Sequence, residues 1–188
     1  PEGPWEPQYD DPIFLQKLER FLAAFAARYD AKPWLRYVDI GSIGDWGEGH
    51  CWAGSRKDLS FAVRKEHVDL HLKYFKRTQL IISDDYVHAL SNPTEGARLH
   101  QHILTNGISY RDDSILVQPP PKSWFHDDMA QAFWPLRPVI LEHEHFGLSQ
   151  GRKAWSGAIT EPASGTQSSG RSKTSPCHSK TSKESGKV

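Results

Sequence analysis

The sequence predicts an α/β domain of about four parallel strands with flanking helices, followed by a disordered C-terminal tail. Three observations predict it. Helical and strand patterns alternate at regular spacing from Asp11 to Leu141. A parallel strand pair needs a crossover, and each intervening helical pattern supplies one. Beyond Trp155 the large apolar residues nearly vanish, so 157–188, rich in Ser, Gly, Thr and Lys, cannot offset the entropy of ordering. The expected division is a domain over 1–156 and a tail over 157–188.

Each element follows from its own pattern. Phe14, Leu15, Leu18, Phe21, Leu22 and Phe25 recur at helical intervals between Asp11 and Tyr29, with Pro12 suited to the first turn. Trp34–Ile40 reads as a short strand, and a glycine-rich loop, GSIGDWGEGHCWAGS, follows it. Leu59, Val63, Val68, Leu72 and Phe75 set a second helix between Arg56 and Phe75. Gln79–Ser83 is a compact buried strand that runs into Asp84, Asp85 and Tyr86. Asn92 as N-cap, Pro93 at the first position, Glu95 at the third and Asn106-Gly107 at the end punctuate a third helix. Ile108–Tyr110 begins a strand reaching Arg111, Asp112 and Asp113. Ser123 is placed to cap a helix through Phe133, and Pro138–Leu141 gives a fourth strand delivering Glu142.

Composition excludes several functions. The 23 basic and 23 acidic side chains cancel, so no global field recruits nucleic acid or an anionic membrane. No stretch approaches the roughly 20 apolar residues of a membrane span, and the chain reads as soluble. It opens on Pro1, and secretion or a periplasmic location would follow from a signal lost upstream. Cys51 and Cys177 are too far apart in sequence to suggest a framework and read as free thiols. There is no nucleotide-binding glycine fingerprint and no nucleophile-elbow serine, so no cofactor is expected.

The chemistry gathers after the strands, where α/β folds place their ligands. Glycoside hydrolysis needs two carboxyl groups flanking one bond. Glu48, in the loop after the first strand, and Glu142, at the end of the fourth, would reach the same rim if the strands are parallel. Trp46 is the preferred platform for a sugar ring, with Trp52, Trp124 and Trp155 behind it. His50 is placed to tune Glu48, while Asp84, Asp85, Tyr86, Arg111, Asp112 and Glu144 are expected to meet sugar hydroxyls. His143 and His145 would point away from Glu142 and Glu144 on an extended strand, so a structural role is preferred for them over a metal site.

The phrase RYDAKPWLRYVDIGSIGDWGEGH resembles the fourth-strand region of (β/α)8-barrel glycoside hydrolases, including β-galactosidase-like families. GISYRDDSI and PVILEHEHFG resemble their sixth- and seventh-strand segments, and the match runs from Asp11 to Ser149. The resemblance implies a partial TIM barrel, strands four to seven, whose missing half belongs to a longer chain. It also implies Glu48 as acid/base and Glu142 as nucleophile of a retaining mechanism, although Gly47 stands where the clan carries Asn. A carbohydrate is the implied substrate, and a non-catalytic carbohydrate-binding or scaffold barrel is the alternative. Without the missing strands the chain is expected to show little activity.

Overall fold

The computed structural model describes residues 6–115 and 126–143, so the predicted tail, Trp124, Trp155, Glu144, His145, Cys177 and the start expected at Ser123 lie outside the described residues. Four strands, β1 (Tyr37–Asp39), β2 (Gln79–Ser83), β3 (Ser109–Ile115) and β4 (Val139–His143), form one parallel sheet in the order β1-β2-β3-β4. Helix α1 (Pro12–Tyr29) precedes β1, and α2 (Phe61–Tyr74) joins β1 to β2. Two helices, α3 (Asp85–His88) and α4 (Pro93–Thr105), lie between β2 and β3, and α5 (Asp127–Phe133) lies before β4.

Local chemistry sets the helix starts. Asp11 Oδ1 accepts from the backbone N–H of Ile13 at 2.8 Å and of Phe14 at 3.0 Å, which satisfies donors that the first turn leaves free. Asn92 does the same for Thr94 at 3.0 Å, with Pro93 at the first position. Helix α2 begins at Phe61 rather than Arg56, because Arg56 has φ 56° and Ser60 is the residue whose hydroxyl caps Val63. Strand β1 is shorter than expected, since the chain around Pro33 makes a turn in which Leu35 N–H donates to the Lys32 carbonyl.

The register fixes which side chains share a face. Val38 pairs with Leu80, Ile82 with Tyr110 and Tyr110 with Val139, so these five point to one side. They join Leu22 and Ala26 of α1, Val68 of α2, Leu99 and Ile103 of α4, and Met129, Ala130 and Phe133 of α5 in a single buried core. Each strand is added on the same side of the last, and right-handed crossovers then bring every connecting helix to that one face. The opposite face carries Asp39, Ile81, Ser83 and Arg111, and Ile81 stands apart from the core cluster. Among the described residues no helix is long and apolar enough to cross a membrane.

Candidate functional site

Among the described residues, two groups of acids and histidines form at the carboxyl ends of the strands. The first grows from the glycine-rich loop after β1. Gly44, Gly47 and Gly49 all have positive φ, and the loop closes on itself through Asp45 N–H to the His50 carbonyl and Gly49 N–H to the Ile43 carbonyl. At Gly49 (φ +90°) a Cβ would lie 2.5 Å from the Tyr86 ring, so only glycine lets the loop settle on α3. The tight turn also holds Trp46 at φ 52° and 77% exposed.

His50, only 4% exposed, is the centre of this group. Its Nε2 lies 3.2 Å from Glu48 Oε2 and 3.6 Å from Asp85 Oδ2, while Nδ1 lies 3.6 Å from Asp45 Oδ2. The Trp52 N–H points at Nδ1 from 3.4 Å, which in the neutral ring leaves the proton on Nε2, facing Glu48 and Asp85. Burial alone would lower the proton affinity of His50, but the bond to Glu48 and the charges of Asp85, Glu48 and Asp45 outweigh it, and its pKa is raised. The Trp52 indole stacks on the imidazole, with centroids 4.1 Å apart, and Trp46 meets it edge-on. Glu48, His50 and Asp85 bring one ligand atom each to within 4.8 Å of one another.

The second group was not foreseen as a unit. Asp84 follows β2, Asp112 lies on β3 and His126 precedes α5. Asp84 is 4% exposed and Asp112 1%. His126 Nδ1 is 2.5 Å from Asp84 Oδ2, and the His126 N–H donates to Asp112 Oδ2 at 3.1 Å. Ser83 Oγ donates to Asp84 Oδ1 at 3.1 Å, and the Tyr110 hydroxyl donates to Asp112 Oδ2 at 2.6 Å. Burial, with the nearby Asp112 and Asp84 charges, raises the Tyr110 pKa, so the phenol stays a donor. Burial pulls His126 down, but its bond to Asp84 prevails and its pKa is raised, whereas burial and the charge on His126 lower that of His88. The His88 ring stacks on that of His126 at 3.5 Å. Here too one ligand atom from each of the three residues falls within 4.8 Å of the others.

The expected site residues therefore part company. Trp46, Glu48, His50 and Asp85 assemble together, but His50 is enclosed rather than a loose rim residue. Tyr86 corrects the sequence reading: it is 0% exposed in the core beneath Gly49, because Asp85–His88 turns into a helix and carries the ring inward. Asp84 and Asp112 are buried in the second group. Arg111 lies on the opposite face of the sheet, its Nε donating to Asp39 Oδ2 at 2.7 Å across β2. Glu142 is exposed at the end of β4, and alternation from Ile140 puts it on that same face. Sequence reasoning missed Asp45, Asp39 and His126; a histidine just before a helix was the available signal for the last.

Cys51 is buried, and burial together with the adjacent Glu6 carboxylate pushes its pKa up to about 12, which removes it as a nucleophile. No family model, curated protein or solved structure matches the chain.

Proposed function

We propose that this chain is part of a (β/α)8-barrel glycoside hydrolase that cleaves O-glycosidic bonds with two carboxylates, Glu48 as acid/base and Glu142 as nucleophile. The observation that supports it most is the setting of Glu48: a carboxylate bonded to a buried imidazole, at the carboxyl end of a parallel strand, beside two exposed indoles. An acid/base must give up and regain a proton each cycle, and His50 offers an adjacent group with which to share it. Trp46 and Trp52, 77% and 59% exposed, offer flat apolar faces to the C–H side of a sugar ring.

Winding in one direction, with the helices on one face, is also the arrangement a barrel requires. In a flat sheet β1 and β4 would be roughly 14 Å apart, three interstrand spacings. The retaining mechanism needs its carboxyl groups about 5–5.5 Å apart, so the reading depends on barrel curvature bringing Glu142 toward Glu48 across the open face.

The test is turnover of a panel of aryl glycosides by the chain, and by any longer natural polypeptide that contains it, beside Glu48→Gln and Glu142→Gln. Both variants are expected to lose about 100-fold or more. A leaving group that needs no protonation should restore formation of the glycosyl-enzyme in Glu48→Gln, seen as a burst of released aglycone ahead of slow hydrolysis, but not in Glu142→Gln. Equal turnover in all three proteins refutes the assignment. Saturable sugar binding without turnover would leave a carbohydrate-binding barrel instead.

A further inference from the structure

We infer that Asp84, Asp112 and His126 form a binding site for a divalent metal ion of the zinc class, separate from the Glu48 and His50 group. The donors come from three elements, the end of β2, β3 and the entry to α5, and chain segments so far apart converge only because the sheet and its crossovers bring them together. One imidazole nitrogen with two carboxylate oxygens is a mixed donor set suited to zinc, manganese or iron(II) more than to calcium or magnesium, which favour oxygen alone. The three ligand atoms lie within 4.8 Å of one another, and an ion at the usual 2.0–2.2 Å from each would take the place of the proton that His126 Nδ1 and Asp84 Oδ2 share at 2.5 Å, releasing it.

The surroundings are those of a held ligand set. Each donor is oriented by a neighbour: Asp84 by the Ser83 hydroxyl, Asp112 by the Tyr110 hydroxyl, and the His126 ring by its stack on His88. Both carboxylates are nearly dry, where the attraction between ligand charge and cation is weakly screened. The Glu48 group is a poorer candidate, because its histidine is divided among three carboxylates.

The probes are zinc and cobalt(II) added to chelator-treated protein, with magnesium and calcium as comparisons. Calorimetry is expected to give one zinc site, cobalt to give visible d–d bands, and magnesium or calcium to bind at least about 10-fold more weakly. Asp84→Asn and His126→Gln should each weaken zinc by about 100-fold or more, since loss even of an orienting neighbour costs 10–100-fold. His50→Gln should leave zinc binding unchanged. Because a variant at a buried site can fail to fold, a second measurement uses the unaltered protein: zinc should protect His126, and not His50, from acylation by diethyl pyrocarbonate, read by peptide mass spectrometry. Absence of zinc binding, zinc binding that survives both site variants, or protection at His50 instead of His126 would overturn the proposal. None of these outcomes depends on glycoside turnover, so the two proposals fail independently.

Discussion

His71 shows what a single residue contributes. It lies inside α2, its ring buried and its Nδ1 bonded to the His67 carbonyl at 2.8 Å. Burial lowers its pKa from 6.5 to about 4, and burial lowers His67 as well. The sign follows from proton counts: between about 4 and 6.5 the unfolded chain binds a proton that the folded ring refuses. The stability is therefore complete above pH 6.5 and is lost as pH falls toward 4, by an amount of order 3 kcal/mol. His71→Phe is expected to flatten the fall in thermal midpoint between pH 6.5 and 4, leaving the slope that the other shifted groups supply, the lowered His67, His88 and His100 among them. An unchanged slope would show that His71 is protonated in the fold. None of this was visible in the sequence, where HVDLHL reads only as helix; the neutral state comes from burial against neighbouring elements.

At the scale of elements, Arg64 explains why the short helix α3 sits where it does. Its side chain, buried in the core, donates Nε to the Leu59 carbonyl at 2.9 Å, Nη1 to the Asp85 and Tyr86 carbonyls at 3.1 Å each, and Nη2 to the Ala89 carbonyl at 3.5 Å. One residue of α2 thus satisfies the Tyr86 and Ala89 carbonyls that a four-residue helix leaves open and adds a second donor to the Asp85 carbonyl, which already accepts from Ala89 N–H, and α3 in turn positions Asp85 beside His50. Arg64→Met is expected to cost about 3–5 kcal/mol, since it strands buried carbonyls, and Arg64→Lys to recover only part of it, because an ammonium lacks the planar fork. Urea midpoints at constant m-value measure both. A loss under about 1 kcal/mol would mean that water replaces the guanidinium. The helices α1 and α4 were legible, the first from its apolar spacing and Pro12 and the second from Asn92 and Pro93, because periodicity and capping are local chemistry. Helix α3 was not, because its carbonyls are satisfied by an arginine more than 20 residues away in sequence.

For the whole molecule, the order of the strands predicts how stability is distributed. β2 and β3 each have a partner on both sides, whereas β1 and β4 are the outer strands of the described sheet. Amide hydrogen exchange is expected to be slowest in Leu80–Ile82 and Ser109–Arg111, and faster in Tyr37–Asp39 and Val139–Leu141. Equal protection in β1 and β2 would point to a further strand on the β1 edge, as a closed barrel requires.

Periodicity, caps and crossover length are written in neighbouring residues, and so the alternation of helices and strands, the parallel class of the sheet, and the collection of acids and aromatics after the strands were legible in the chain alone. Tertiary structure decided the partnerships. Asp84 and Asp85 are adjacent in the chain, yet one turns to His126, 42 residues later, and the other to His50. Asp39 meets Arg111 across 72 residues, while Tyr86 leaves the rim for the core. Strand register and the packing of helices on one face set those distances, and neither is fixed by any local stretch of sequence.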